Sequence, residues 1–97
     1  MESADITVDS ITIQPAKAAF ILRTHHVEEE DILEVFANAP VFYLFDARWM
    51  VYDMVGPNRY GRFLVVGIQR IDGNDWRVVT AYWNTDGRAE KIYEALK

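Results

Sequence analysis

Residues 39–45, which read Ala-Pro-Val-Phe-Tyr-Leu-Phe, mark the place where the spacing of hydrophobic residues changes. Before Pro40 the apolar residues recur at i, i+3 and i+4, which is typical of a helix with one buried stripe. After Pro40 they form short aromatic and β-branched runs, which are typical of strands. We therefore place the boundary between a helical part and a sheet at Pro40.

Two helices are predicted before this boundary, from Pro15 to Leu22 or Arg23 and over residues 28–38. Proline is favourable in the first turn of a helix, where its missing N–H is not needed. The first helix is expected to offer Ala19, Phe20 and Leu22 to a core. The second has acidic residues in its first turn, where they favour the positive end of the helix dipole. Its apolar stripe consists of Ile32, Leu33, Val35 and Phe36.

The residues before Pro15 give weaker signals. Residues 1–5 are small, polar and acidic, and we expect them to be disordered. Residues 6–8 and 11–13 alternate apolar with polar side chains, a weak strand signal that Asp9 and Ser10 interrupt.

Four strands are predicted after the boundary, over residues 41–45, 49–55, 62–70 and 76–83. Turn-forming residues separate them, and such short links favour an antiparallel meander. Strict alternation in the last strand would place Trp76, Val78, Thr80 and Tyr82 on one face, and Arg77, Val79, Ala81 and Trp83 on the other.

A closing helix is predicted over residues 86–96. Asn84, Thr85 and Asp86 are candidate N-cap residues. Helical spacing then places Ala89, Ile92, Tyr93 and Leu96 on one face.

The expected fold is a single α+β domain over residues 1–97, with two N-terminal helices, an antiparallel three- to four-stranded sheet and a C-terminal helix. We expect both N-terminal helices on one face of the sheet and the last helix docked beside them. The other face would be partly open and carry arginines and aromatic residues.

Composition excludes several classes. The 97 residues include no cysteine, which excludes disulfide scaffolds, zinc ribbons and thiol chemistry. No apolar run has the length of a membrane helix and the first residues do not resemble a signal peptide, so we expect a cytoplasmic protein without a membrane partner. The net charge is −5, with −6 in residues 1–38 and +1 in residues 39–97. Six arginines lie in the second part, so the domain is polarised in charge.

Three features are candidates for chemistry. The adjacent His25 and His26 are consistent with a solvated or helix-capping role, with a general acid or base, or with a metal site that would need further ligands. Residues 56–62 combine two glycines, two arginines and a tyrosine. This composition is consistent with a phosphate-binding loop or with an ordinary β-turn whose arginines are exposed to solvent. The abundant tryptophans and tyrosines suit core packing, with one or two left to stack on bases or to anchor a protein partner. The sequence shows no Ser-His-Asp arrangement typical of a catalytic triad and no closely spaced pair of carboxylates.

Taken together, the motifs resemble those of the BrnT-type toxins, small relatives of the RelE/ParE-like toxin superfamily, from about Ile11 to the C-terminus. Residues 16–27 are similar to the family's first helix, which ends in a Lys-His-Gly-Val turn, with Thr24 and His26 in place of Lys and Gly. Residues 32–36 resemble the helix that bears Glu-Val-Phe. Residues 61–66 resemble the arginine-led central strand, and residues 76–81 followed by 90–93 resemble the last strand and its Glu-x-x-Tyr helix.

The resemblance implies a ribonuclease of a type II toxin–antitoxin pair, which cleaves RNA without a metal or another cofactor and is silenced by a cognate antitoxin protein. A base would activate the ribose 2′-hydroxyl, cations would stabilise the phosphorane, and an acid would protonate the leaving oxygen. The positions implied for catalysis are His25, Arg62, Glu90 and Tyr93. The positions implied for RNA binding are Arg59, Tyr60, Arg77, Tyr82 and Arg88.

One position departs from the family pattern. The last strand of the family ends in Ser/Thr-Ala-Arg, whereas this chain has Tyr82 in place of the arginine. Either Arg59, Arg77 or Arg88 substitutes for it, or catalysis is lost and the chain is a protein-interaction module on the same fold. A small-ligand pocket between helix and sheet is a third interpretation, which no residue specifically supports. We also expect the acidic helix over residues 28–34 to face away from any RNA site, because its charge would repel phosphate.

Overall fold

The computed structural model describes residues 3–97, so Met1 and Glu2 of the segment expected to be disordered lie outside the described residues. Ser3 and Ala4 hydrogen-bond to Tyr43: the Tyr43 N–H donates to Ser3 Oγ over 3.0 Å, and the Ala4 N–H donates to the Tyr43 carbonyl over 2.6 Å. The elements in chain order are β1 (Ser10–Thr12), α1 (Pro15–His25), α2 (Glu29–Ala37), β2 (Phe42–Asp46), β3 (Val51–Pro57), β4 (Phe63–Asp72), β5 (Asp75–Trp83) and α3 (Arg88–Leu96). The α+β class and the three predicted helices are confirmed.

The expectation of an antiparallel sheet of three or four strands is wrong. The sheet has five strands in the order β1-β5-β4-β3-β2, and β1 pairs with β5 in parallel. The other pairings are antiparallel, as the short links predict. β1 pairs over only three residues, so its sequence signal is weak. It is held at its start by the Ser10 hydroxyl, which donates to Asp75 Oδ1 over 2.7 Å.

Both N-terminal helices cover one face of the sheet, which we call the core face. Pro15 begins α1, and an Asp31 carboxylate that accepts the Glu28 N–H caps α2. The core consists of Ile21, Val27, Ile32 and Val35 from the helical part and Met54, Leu64, Val66, Ile68, Trp76, Val78 and Ala81 from the sheet. In α1 the buried residue is Ile21, whereas the expected Phe20 and Leu22 are exposed. Burying this many large apolar side chains is the main stabilising term of the fold.

The last helix does not lie beside the first two. Ala89 of α3 packs against Val55 and Val65, whose side chains alternate with those of Met54 and Val66 and therefore point away from the core face. We call this second side the open face. The amphipathic pattern of residues 88–96 identifies the buried stripe of the helix, but it does not specify which side of the sheet that stripe covers.

A β-bulge corrects the expected alternation of β5. Gly67 pairs with Thr80 and Ile68 pairs with Val78, so Val79 has no partner on β4. The extra residue reverses the alternation beyond it. Val78 and Ala81 therefore share the core face, whereas Thr80 and Tyr82 lie on the open face.

Candidate functional site

A concavity of about 440 Å³ lies on the part of the open face that α3 leaves uncovered. Its lining residues are Asp46, Arg48, Trp49, Val51, Asp53, Gln69, Val79, Thr80 and Tyr82. A second concavity of about 290 Å³ continues from it beneath the start of α3 and adds Asp86 and Arg88. Charged and aromatic side chains therefore meet on this side of the sheet, as the sequence predicts in outline.

Gly67 forms the floor of the larger concavity. It pairs with Asp53 on one side and Thr80 on the other, in the middle of the sheet. A Cβ at this position would lie 2.9 Å from Thr80 Cγ2, 3.4 Å from Val79 Cγ2 and 3.6 Å from Val51 Cγ2. There is consequently no room for a side chain at residue 67, and the glycine allows the side chains of Val51, Val79 and Thr80 to pack directly over the backbone.

The acidic side of the concavity is a pair of aspartates on neighbouring strands. Asp53 pairs with Leu44, two residues from Asp46, so both carboxylates lie on the open face as diagonal neighbours. Burial raises the pKa of the Asp53 carboxyl to about 6, and the negative charge of Asp46 adds to this shift while Arg48 opposes it. Asp53 therefore changes its charge close to neutral pH, which is the property required of a general acid or base.

Tyr82 joins the concavity to the end of α1. Its side chain lines both concavities, and its ring centroid lies 6.3 Å from that of His25. Burial raises the pKa of the Tyr82 hydroxyl, and the charges of Asp53 and Asp46 act in the same direction. The phenol is therefore neutral at physiological pH and can donate a hydrogen bond.

Arg62 is placed next to the same end of β5 by a different contact. Its guanidinium carbon lies 3.9 Å from the centroid of the Trp83 ring, a cation–π arrangement. The Trp83 indole N–H donates to the carbonyl of His26 over 3.2 Å. The expected catalytic residues His25 and Arg62 thus contact two consecutive residues of β5, although they belong to distant parts of the sequence. Tyr82 lies on the open face whereas Trp83 packs against the core cluster, so the two contacts are on opposite sides of the strand. Neither Asp53 nor Asp75 forms an ion pair with Arg62 among the described residues.

His26 has a structural role of its own. It caps the C-terminus of α1 in the left-handed region, with φ of 57°, and its N–H donates to the Leu22 carbonyl. This geometry is common where a helix ends. One of the two histidines is therefore a cap, as one interpretation of the sequence expected, and the ring of His25 is left exposed beside Tyr82.

The loop that precedes Arg62 is organised by Asn58. This buried residue accepts the N–H groups of Tyr60 and Arg62 on its Oδ1 over 3.0 and 2.9 Å. Its Nδ2 donates to the Asp31 carboxylate over 3.2 Å. The loop is consequently fixed to α2, with Tyr60 exposed at its tip.

The acidic helix contacts this loop, so it lies close to one group of the expected RNA-binding residues. Arg59 forms an ion pair of 3.3 Å with Glu34 and also donates its N–H to that carboxylate. Together with the bond from Asn58 to Asp31, this contact places α2 directly against residues 58–62. The charge of Arg59, one of the expected RNA-binding residues, is therefore partly neutralised.

The remaining expected site residues lie in three places. Tyr93 is buried at 6% exposure, with its ring edge-on to Phe42 and Phe63 at centroid distances of 5.4 and 5.2 Å. Arg77 donates to the Gln69 side chain over 3.2 Å, in the half of β5 that precedes the bulge. Glu90 is exposed on α3, and Arg88 lines the second concavity together with Tyr82.

Asp46, Arg48 and Asp53 are site residues that the sequence analysis missed. Asp53 is the one charged residue in the otherwise apolar run over residues 49–55, and this anomaly was the available signal. The described residues contain no group of three or more His, Asp or Glu side chains arranged to hold a metal ion. Within residues 3–97, no helix has the length and apolar character needed to cross a membrane.

Comparison with known proteins identifies a likeness among solved structures. No family model matches the chain, and no curated protein matches it. Among solved structures it is similar to the ribonuclease toxin BrnT of Brucella abortus, with a TM-score of 0.60 and 17% sequence identity. The match covers 79% of this chain and 97% of the BrnT chain. The two proteins therefore share a fold, and the fold that the sequence resemblance implied is confirmed.

Proposed function

We propose that the chain is a divergent toxin-like domain that cleaves RNA without a metal ion and is silenced by a cognate antitoxin protein. The observation that carries this proposal is the shared fold, because the match extends over 97% of a ribonuclease toxin. The contacts of His25 and Arg62 with adjacent residues of β5 support it, since these are two of the residues for which the motifs imply catalysis.

The proposed reaction uses the side chains around the end of β5. His25 removes the proton from a ribose 2′-hydroxyl, the 2′-oxygen attacks the adjacent phosphorus, and the 5′-oxygen leaves with a proton from an acid. The products are a 2′,3′-cyclic phosphate and a 5′-hydroxyl. Tyr82 is suited to supply the leaving-group proton, because burial raises the pKa of its hydroxyl and keeps it protonated, and its ring lies near that of His25. Arg62 stabilises the charge of the phosphorane.

Arg88 is the best candidate to replace the arginine that Tyr82 displaces. It lines the same concavity as Tyr82 at the start of α3. Arg59 is paired with Glu34, and Arg77 is bound to Gln69 before the bulge, so both are less suitable. Glu90 lies two residues after Arg88 and remains a proposed catalytic residue. Tyr93 supports the site from within the core, because its ring is enclosed by Phe42 and Phe63.

The test is cleavage of a labelled RNA by the purified protein in the presence of a metal chelator. The matched substrate carries a single 2′-deoxy ribose at the cleaved position, which removes the nucleophile. Cleavage of the RNA with a cyclic phosphate end, none of the deoxy substrate, and loss of cleavage in His25→Ala are the expected results. Absence of cleavage by the unaltered protein, or equal cleavage of both substrates, would contradict the proposal.

An inactive protein-interaction module on the same fold is the second candidate. Two observations favour it: Tyr82 stands where the resembled toxins have arginine, and Glu34 neutralises Arg59. Such a module would still bind an antitoxin-like protein, but it would neither cleave RNA nor arrest growth when expressed. Growth after induced expression, combined with the cleavage assay, separates the two functions.

A further inference from the structure

The larger concavity contains a carboxylate without a partner. Within residues 3–97, the Asp53 carboxylate accepts no hydrogen bond and joins no ion pair. Its neighbour Asp46 is differently placed, because the Arg48 N–H donates to Asp46 Oδ1 over 3.0 Å and the Arg48 guanidinium lies 4.0 Å from Oδ2. A partly buried carboxylate that lacks such contacts is costly when ionised, unless something else neutralises it.

The walls around this carboxylate are aromatic. Trp49 and Tyr82 line the concavity and are 65% and 42% exposed, so their rings are accessible from solvent. The Arg48 guanidinium lies 5.5 Å from the centroid of the Trp49 ring, so this ring already contacts one cation. Aromatic faces attract ammonium and guanidinium groups, with the largest effect where water is displaced. Apolar atoms that also line the concavity supply a surface for an apolar stem, and they belong to Val51, Val79 and Thr80.

We propose that this concavity is a binding site for an organic cation, a guanidinium or ammonium group carried on an apolar stem. The charged group pairs with Asp53 and lies against Trp49 and Tyr82. The stem lies against Val51 and Val79. An arginine or lysine side chain of a partner protein has this chemistry, and so does a free cationic compound. A phosphate group is disfavoured here, because Asp46 and Asp53 lie on the same side of the sheet. The inference does not require RNA cleavage, because Asp53, which holds the cation, takes no part in the proposed reaction; Tyr82 is the residue that the two proposals share.

Binding should depend on pH in a defined direction. The charged or titratable groups that face Asp53 are Asp46 on β2, Arg48 in the β2–β3 turn, Tyr82 on β5, and Asp86 and Arg88 at the start of α3. Asp53 must be ionised to hold the cation, so affinity should rise as the pH passes through about 6. Arg48 and Arg88 keep their charge throughout this range and do not reverse the trend.

The test is an NMR titration of the full chain with Nα-acetylarginine amide, called arginine amide below. Nα-acetylcitrulline amide, called citrulline amide, is the neutral, nearly isosteric control, because acetylation removes the charge of the α-amino group. Shifts of the Asp53 and Gly67 amide signals report binding at the proposed place. Saturable shifts with arginine amide, at least tenfold weaker in Asp53→Asn and unchanged in Asp72→Asn, are expected. Equal affinity for citrulline amide, no binding, or an unaffected Asp53→Asn variant would overturn the proposal.

Two further arms complete the experiment. A short peptide with one arginine between glycines is titrated in parallel: tighter binding than arginine amide supports a protein segment as the source, and equal binding supports a free cation. The unaltered protein is also titrated at pH 5 and pH 7.5, which needs no folded variant. Affinity at least fivefold higher at pH 7.5 is expected, and equal affinity at the two pH values would contradict the role of Asp53.

Discussion

The two faces of the sheet carry different kinds of side chain, although the same strands form both. The core face presents Met54, Leu64, Val66 and Ile68, all fully buried under α1 and α2. The open face presents Asp53, Gly67, Thr80 and Tyr82 on the same strands, in part covered by α3. Successive residues of a strand lie on opposite faces of the sheet. One face therefore stabilises the fold, and the other is available for chemistry.

The difference in burial between the two faces also explains why polar groups lie on the open face. A carboxylate on the core face would lose its hydration entirely, whereas Asp53 on the open face is only partly buried. Its raised pKa is the remaining cost of that position. The open face thus tolerates a group whose charge changes near neutral pH, and function can use such a group.

The largest expected effect comes from the core face. Trp76 is 1% exposed, and its indole N–H donates to the Thr7 carbonyl over 3.0 Å. Trp76→Ala should lower the free energy of unfolding by about 3–5 kcal/mol, measured by urea denaturation. Trp49→Ala on the open face is the matched control and should cost less than about 1 kcal/mol, because Trp49 is mostly exposed. Similar losses in both variants would contradict the division between the faces.

A smaller effect is expected at the floor of the concavity. Gly67→Ala should destabilise the protein by about 1–3 kcal/mol, because the new methyl group would lie 2.9 Å from Thr80 Cγ2. The double variant with Thr80→Ala removes that methyl group and should recover part of the loss. Additive losses in the two single variants would show that this contact is not the cause.

Asp53 predicts a pH dependence of stability. The pKa of Asp53 is about 6 in the folded protein and near 4 in the unfolded chain. Between these values the folded state binds the extra proton, so this group's contribution to stability falls as the pH rises from 4 to 6 and stays low above 6. In Asp53→Asn this fall should be absent. The free energy of unfolding of the variant, relative to that of the unaltered protein, should therefore be about 1 kcal/mol higher at pH 7.5 than at pH 4, a value that is reduced for solvent screening.

The check is chemical denaturation at several pH values, with Asp72→Asn as the exposed control on the same sheet. The curve of the control should be parallel to that of the unaltered protein. If Asp53→Asn also gave a parallel curve, the Asp53 carboxyl would titrate at its ordinary pKa and the description of its surroundings would be wrong.

The fold was predictable from sequence to the extent that local patterns determine it. Periodicity and Pro40 place α2 and β2 correctly to within two residues, and the closing helix buries Ala89 and Tyr93 as its spacing predicts. The sequence around β1 shows only a weak strand signal, and the parallel pairing of β1 with β5 was not predicted, because a three-residue strand at an edge depends on distant partners rather than on its own sequence. The side of the sheet that α3 covers is likewise a tertiary property.

The site was predictable only in part. Motif resemblance selected His25 and Arg62, and the structure brings both to the end of β5. It also selected Tyr93, which lies in a buried aromatic cluster where direct contact with RNA is obstructed. The bulge at Val79 decides that Tyr82 and Thr80 share the concavity with Asp53, and simple alternation cannot reveal an inserted residue.

Arg62 has the smallest expected effect on stability. Its side chain is exposed and lies over the Trp83 ring, so Arg62→Ala should cost about 0.5–1 kcal/mol, the value of an exposed cation–π pair. Arg62→Lys keeps the charge but loses the planar stacking and is the conservative control. A loss of several kcal/mol in Arg62→Ala would assign this residue to the fold instead of to the proposed reaction.

The most direct test of the proposed catalytic assignment is to measure RNA cleavage and the unfolding midpoint on the same preparations of unaltered protein and Arg62→Ala. We predict that turnover falls at least about tenfold in the variant, while the midpoint changes by only a few degrees. An unaltered protein that does not cleave RNA, or a variant that loses stability but keeps its turnover, would contradict the catalytic assignment and favour the protein-interaction module.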